Sequence, residues 1–347
     1  MKLLSRRHFI RSLVFGSLWG MGFSLFAISP NRRPMIEDKK NELPEYTSSY
    51  LNLHKTGELK KRGEELWKAL RNCKLCPRKS AVNRFVAHKG TCEASADLEI
   101  SSAFPHYGEE DSLVGTGGSG AIFFTHCSLR CVYCINWEIS IGGEGKKYNI
   151  KDLADMMLKL QERGCHNINI VTPTHFLPHL LLALDQAAAR GLHIPLVYNT
   201  SGYEDVENLR YLDGVVDIYL PDFKYWDGEM AAKYSSGAKR YPEYAREAML
   251  EMHRQVGVAK PAKDGVMYRG LMIRHLVLPH NISGTDQIVQ WIANNLPADT
   301  YVHLMSQYRP SYKANEYPEL SRNLYQREYR QAIRWAREAG LTNLEIQ

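Results

Sequence analysis

Beyond residue 40 this chain has no surplus of either charge. The whole sequence carries 44 Lys and Arg against 38 Asp and Glu, a formal net charge of +6. Residues 1–40 alone hold eight basic and two acidic residues, so the remaining 36 basic and 36 acidic residues cancel. No basic face is left over for a nucleic acid, and none is expected as a partner. Internal repeats and low-complexity tracts are also absent. The seven cysteines lack the scatter of a disulfide framework. Cys73, Cys76 and Cys92 fall within twenty residues, and Cys127, Cys131 and Cys134 within eight. Metal ligation explains two tight clusters better than bridges do, and Cys165, standing alone, reads as a small buried hydrophobe.

What is present begins with the N-terminus. Arg6-Arg7 precedes Phe9, Ile10 and the Gly- and Ser-rich apolar stretch "SLVFGSLWGMGFSLFAIS". This resembles a twin-arginine export signal, with Ala27 and Ser29 as small residues at cleavage-compatible spacing. An export signal leads to a periplasmic or membrane-anchored protein. The alternatives are a membrane anchor, from a stretch of nearly spanning length weakened by its glycines, and a cytoplasmic tail. The reading divides the chain into a signal or anchor (1–29), a polar linker (30–58), an N-terminal helix with a Cys motif (59–110) and a barrel with a C-terminal helix (111–347).

At 347 residues the chain can bury a full α/β core. Strand candidates lie at 120–126, 167–173, 194–200, 215–223, 271–279 and 300–308, several of them near-continuous apolar runs suited to a parallel sheet buried on both faces. Residues 150–164, 174–191 and 242–257 have the 3.6-residue apolar period of helices, as do 59–72 and 321–340. Six strand-then-helix units predict an α/β fold, a partial (β/α)6 TIM-like barrel with an N-terminal helical, Cys-containing extension. Chemistry in such barrels sits where strands end. The expected endings are His126-Cys127, Thr172–His175, Asn199–Ser201, Asp222–Lys224, Arg274-His275 and Gln307-Tyr308, all polar or titratable.

The spacing C-x3-C-x2-C at Cys127, Cys131 and Cys134 follows the first strand candidate directly. Structural zinc takes four ligands, so a zinc site would need a fourth from elsewhere, such as His126. A ferredoxin-type cluster also takes four thiolates. A cluster on three thiolates leaves one iron open to a substrate or cosubstrate. Gly117-Gly118-Ser119-Gly120 precedes a strand rather than a helix, the wrong context for a phosphate loop.

The segments "GSGAIFFTHCSLRCVYCINWEIS", "NINIVTPTHFLPHLLLAL", "IPLVYNTSGYEDVENL", "DIYLPDFKYWD", "RGLMIRHLVLP" and "HLMSQYRP", with "CKLCPRKSAVNR" upstream, resemble the radical S-adenosylmethionine (SAM) superfamily. Within it they are similar to the branch related to pyruvate formate-lyase activating enzyme. The resemblance covers roughly residues 70–345. It implies a [4Fe-4S] cluster on Cys127, Cys131 and Cys134 whose open iron binds SAM. It further implies reductive cleavage of SAM to a 5′-deoxyadenosyl radical that abstracts hydrogen, with a protein glycine as substrate on the activase analogy. Such an enzyme needs a one-electron donor, and the activase analogy adds a protein substrate as partner. Asp222 and Lys224 resemble the Asp-x-Lys that touches SAM in activating enzymes. Thr172, Thr174, Asn199, Arg274 and Gln307 are further cosubstrate candidates by position, and Tyr133 is a candidate to lean on the adenine. Relatives carry Gly-Gly-Glu after the second strand, where this chain has Thr172–Thr174. They also carry C-x2-C-P-R-x-C upstream, where this chain has Ser80 at the last position. Cys73, Cys76 and Cys92, with His88 in loop reach, remain a candidate zinc or second iron–sulfur site. The competing functional class is a non-catalytic iron–sulfur protein, for electron transfer or sensing, on the same barrel.

Overall fold

A computed structural model describes residues 46–86 and 89–346. The signal-like segment, its cleavage region and His88 therefore lie outside the described residues. Among the described residues no helix is long and apolar enough to cross a membrane.

The strands are β1 (Leu98–His106), β2 (Ser119–Phe124), β3 (Lys146–Tyr148), β4 (Asn167–Val171), β5 (Leu196–Thr200), β6 (Ile218–Pro221), β7 (Lys260–Pro261), β8 (Met267–Leu276), β9 (Tyr301–Met305) and β10 (Leu344–Ile346). Seven of them run parallel and lie side by side in chain order: β2, β4, β5, β6, β8, β9 and β10. β1 adds antiparallel to β2, and β3 to β1, at one edge. All six strand candidates are strands. This mostly parallel α/β sheet, with helices after its strands, is consistent with a partial TIM-like barrel.

Side-chain alternation sorts the strands into two faces. Tyr198, Tyr219, Leu271, Ile273, Val302 and Leu304 join the large core under the helices. Val197, Ile218, Leu220, Met272 and Tyr301 point the other way and pack together around Leu113. Leu113 belongs to a short helical turn, Asp111–Val114, between β1 and β2. Its carbonyl accepts from the Asn167 side-chain amide on β4 at 2.9 Å. The turn is a plug on the inner face of the sheet, closing the ends where the strands begin.

Outside, the helix Leu177–Ala188 is apolar nearly all round and packs against both Glu58–Ala69 and Ile150–Glu162. Gly63 permits that contact, since a Cβ there would stand 2.9 Å from the Leu182 side chain. The helix Ile150–Glu162 starts at a capping box, Asn149 with Asp152, as the 3.6-residue pattern places it.

Boundaries differ where local chemistry overrides the apolar pattern. β4 stops at Val171 because Thr172 adopts φ +59 and Pro173 follows. The C-terminal helix runs over Gln326–Glu338 rather than from 321, because Glu328 accepts from the Tyr325 backbone and from Arg322 and fixes the start. Residues 46–110 pack into the same compact unit as the rest of the described chain.

Candidate functional site

The cysteine loop leaves β2 at its C-terminal end. His126 takes φ +67 and hydrogen-bonds Glu99 at 2.9 Å, which turns the chain into Cys127. Each of the three sulfurs has a polar neighbour: Leu129 N–H donates to Cys127 Sγ at 3.4 Å, Ser235 Oγ–H to Cys131 Sγ at 3.2 Å, and Ser140 Oγ lies 3.1 Å from Cys134 Sγ. Burial pushes the Cys131 thiol up to about 12 and raises Cys127, while the Lys224 ammonium pulls both down. Without a cation burial keeps Cys127 and Cys131 as thiols; a metal cluster would supply the charge that favours their thiolates. Among the described residues no three His, Cys, Asp or Glu side chains converge as a cage for a single ion. Three soft sulfur donors on one loop suit an iron–sulfur cluster with one iron left to another ligand better than the four-ligand site that zinc takes.

Beneath this loop, inward-facing residues from successive strands form one polar layer. Arg274 on β8 is its centre. Its Nε donates to Asp222 Oδ1 at 3.0 Å, its Nη2 to Asn199 Oδ1 at 2.6 Å and its Nη1 to Glu109 Oε2 at 3.2 Å. Asp222 Oδ2 meets Lys224 Nζ at 2.8 Å. Glu110 Oε1 meets His303 Nδ1 at 2.9 Å, and Arg274 and His303 are register partners on β8 and β9. Burial pushes the Asp222 carboxyl up, but Arg274 and Lys224 hold it below the ordinary range. Burial, then the neighbouring Glu110, raises Glu109 against the pull of Arg274; Glu110 itself is held down by Arg274 and His303 despite its burial. The layer thus links the cysteine loop, through Lys224, to the acidic end of the plug.

The loops that carry these groups are tied together. The Tyr241 hydroxyl accepts from the Lys224 backbone N–H at 2.8 Å and lies 2.9 Å from the carbonyls of Ser201 and Asp222. Gly202, at φ +73, lets the β5 loop pass the Asp222 carbonyl where a Cβ would stand 2.3 Å away. His275 is held neutral by burial, down to about 4, and spans Phe223 O at 2.6 Å and Thr285 Oγ1 at 2.8 Å.

The expected cosubstrate residues divide by environment. Asn199, Asp222, Lys224 and Arg274 come together in the polar layer. Thr174 instead donates to Glu204 Oε1 at 2.6 Å, with Thr200 on the same oxygen. Thr172 sits in the strained turn after β4, its N–H on Asn199 O at 2.9 Å. Tyr133 is buried edge-on against Tyr225 and Tyr308, and Gln307 is exposed beyond β9. Of the other polar strand endings, His175 bonds the Thr125 carbonyl at 2.7 Å and Tyr308 the Leu320 carbonyl at 2.6 Å. Glu109, Glu110, His303, Glu204 and Tyr241 escape a reading of strand ends alone. The acidic run "GEED" at 108–111 is the one local signal for the first pair, since it stands one residue ahead of the apolar Leu113-Val114.

Cys73, Cys76 and Cys92 are buried and free. Backbone bonds from Ala81 to Cys73, Cys73 to Val82 and Lys79 to Cys76 fold the first two into a tight knuckle. Burial, then the charge of Cys92, pushes Cys76 up to about 12, and Cys92 is in turn close enough to sense Cys73 and Cys127. A Cβ on Gly90 would stand 2.7 Å from Ser80 Oγ, which sets Ser80 against the strand of chain leading to Cys92.

Glu204 offers a test of this packing. Burial raises its carboxyl from 4.5 to about 7, opposed by the Thr174 and Thr200 hydroxyls. A raised carboxyl stabilises the fold fully below its unfolded value and loses that contribution as pH climbs through its folded value. The stability of the wild type relative to Glu204→Gln should therefore shrink between about pH 4.5 and 7, by up to about 1.4 kcal/mol per pH unit. Urea midpoints for the two proteins across this range check it; parallel curves would contradict the assignment.

The sequence matches agree with this geometry. The radical SAM superfamily model matches residues 121–268. An uncharacterised protein of Methanocaldococcus jannaschii is 34% identical over 281 residues, covering 78% of this chain and 76% of that protein. Among solved structures, a radical SAM methyltransferase from Sphaerobacter thermophilus aligns with TM-score 0.44 at 12% identity over 65% of each chain. Methylornithine synthase aligns with TM-score 0.40 at 13% identity, covering 86% of this chain and 82% of its own. At those values the assignment rests on the sequence matches and the cysteine loop, and on these the chain belongs to the radical SAM superfamily.

Proposed function

We propose that this protein is a radical SAM enzyme of the activating-enzyme type, working on a six-unit partial barrel. Its cluster is held by Cys127, Cys131 and Cys134, and SAM is oriented by Asp222, Lys224, Asn199 and Arg274. When bound, the cluster would supply the one electron that reductive cleavage of SAM requires, and the hydrogen abstracted in consequence would come from a substrate, with a protein glycine as the activase candidate. The observation that carries this reading is the three-cysteine loop set over a buried layer containing two cations. Lys224 is charged and close to two of the sulfurs, so it lowers the cost of bringing a carboxylate such as that of SAM to the cluster. Arg274 fixes Asp222 and Asn199 in place with a rigid fork that a lysine could not supply. The plug and the apolar layer around Leu113 keep water from the floor of the site, which a carbon radical requires.

Anaerobic reconstitution, dithionite reduction and addition of SAM test this directly: 5′-deoxyadenosine should accumulate. An intact, reducible cluster that yields none would favour an electron-transfer or sensor protein instead.

Two further parts belong to the same proposal. Cys73, Cys76 and Cys92 form a second metal site, for zinc or an auxiliary cluster, supported by three buried thiols, two of them on one knuckle. The N-terminal segment directs export, which places the protein at or beyond a membrane and requires an electron donor there. A reporter fused to residues 1–40 and found only in the cytoplasm would remove the export element and leave the chemistry untouched.

A further inference from the structure

The polar layer holds more acid than base. Asp222, Glu109 and Glu110 surround Arg274, and their side chains are 14%, 9% and 3% exposed. Against these three carboxyls stand two permanent cations, Arg274 and Lys224, and both are committed. Lys224 is bonded to Asp222, and Arg274 is shared among all three carboxyls and Asn199. Buried charge has to be balanced. In the protein alone that balance is incomplete: burial and Glu110 raise the Glu109 carboxyl while Arg274 and His303 hold that of Glu110 down, and Glu110 Oε2 is buried with no hydrogen-bond partner. A group that brings its own positive charge and N–H donors can complete it.

Independent observations point to a ligand on the same inner face. Asn169, on β4, is fully buried with neither its amide oxygen nor its amide nitrogen bonded. It shares a face with Asn167, whose amide meets the plug, and its register partner Val197 packs with Leu113. His303 Nε2 is likewise buried and unbonded while Nδ1 engages Glu110. Unpaired buried polar atoms are costly, and several on one face of the sheet mark a place for a partner with hydrogen-bonding groups. The layer reaches Lys224 at Asp222 Oδ2, and it reaches the acidic pair at Arg274 Nη1. The cosubstrate residues and the acidic pair thus meet the layer at different groups.

We propose that Glu109 and Glu110 are the substrate-side subsite of this barrel, and that the substrate group they take is a protonated nitrogen, an amine or guanidinium. The plug presents them, so the turn that closes the floor also sets specificity. This rests on the radical SAM reading for the identity of the opposite side, but the acidic pair and its unpaired neighbours stand without it.

The test uses reconstituted full-length protein under anaerobic conditions, with SAM and three perdeuterated probes of matched size: n-butylammonium, n-butanol and butyrate. After dithionite reduction, the 5′ radical takes a deuterium atom from a probe carbon. One carbon–deuterium bond breaks, one forms at the 5′ carbon, and a carbon radical remains on the probe. The deuterated fraction of 5′-deoxyadenosine should be at least about tenfold higher with butylammonium than with the other two, a preference of roughly 1.4 kcal/mol. Glu109→Gln with Glu110→Gln should bring that fraction down to the butanol level; being a fraction, it does not depend on how active the variant is. Saturation-transfer NMR of the same probes on unreduced protein should give the same order. A side-chain-deuterated lysine in the peptide Gly-Lys-Gly tells a small substrate from a side chain: transfer from butylammonium alone points to a small amine, and transfer from both to a protein side chain. No excess for butylammonium in either readout, or butyrate leading, overturns the proposal. If no 5′-deoxyadenosine forms with any probe while the NMR order holds, the radical reading has failed and the subsite has not.

Discussion

Replacing Cys127, Cys131 and Cys134 together by serine is expected to abolish 5′-deoxyadenosine formation, a loss of about three orders of magnitude or more. Serine removes soft thiolate donors without changing side-chain size much, so the loop can still close over β2. Burial disfavours bare thiolate at Cys127 and Cys131, the latter pushed up to about 12. Their ligand role is therefore coupled to metal charge, and no partial site should persist on two of them. Iron retained by the triple variant reports the second cluster of cysteines. If Cys73, Cys76 and Cys92 hold metal, adding Cys73→Ser should remove what remains, as measured by iron and zinc analysis. Unchanged metal after that addition would leave the upstream thiols as buried hydrophobes only.

Replacing Arg274 by alanine should be the most damaging single change to the fold. It strips the guanidinium from Asp222, Glu109 and Glu110 at once and leaves Asn199 Oδ1 without its donor. Breaking a buried ion pair by removing one partner costs about 3–5 kcal/mol, because the remaining charge has no solvent to turn to. Here the remaining carboxyls respond by taking up protons, so the loss should be largest at high pH and smaller in mild acid. Urea unfolding of the cluster-free protein at several pH values measures it. Arg274→Lys should recover only part, since a single ammonium cannot reach Asp222, Asn199 and Glu109 together. A stability loss under about 1 kcal/mol would mean that the layer is solvated and the charge argument does not hold.

Much of this architecture is legible in the sequence because its physics is local. Six strand candidates, several of them near-continuous apolar runs, are strands, and they are found in the sheet in the order in which they occur. The cysteine loop, Asp222, Lys224, Arg274 and Asn199 are readable because a parallel sheet puts its strand ends on one side. β1 is harder to see: "LEISSAFPH" alternates weakly, since it lies next to the sheet's edge, between β2 and the short β3. Glu109 and Glu110 are hidden for a different reason. Adjacent acids normally mark a solvated loop, and only the inward course of Asp111–Val114 reveals that they are carried under Arg274. His303 reads as an ordinary strand residue until its register with Arg274 is known. Thr174 illustrates the opposite case. Its position after β4 suggests a cosubstrate contact, and its hydroxyl is engaged by the buried Glu204.

The central claim is that three thiolates leave one iron open to SAM. The electron paramagnetic resonance spectrum of the dithionite-reduced, reconstituted protein, recorded with and without SAM, tests it most directly. A reduced [4Fe-4S] signal that changes shape and g-values when SAM is added, and is absent from the triple serine variant, is what the site predicts. A cluster signal identical in the presence and absence of SAM, or a SAM-responsive signal that survives in the triple variant, would contradict it.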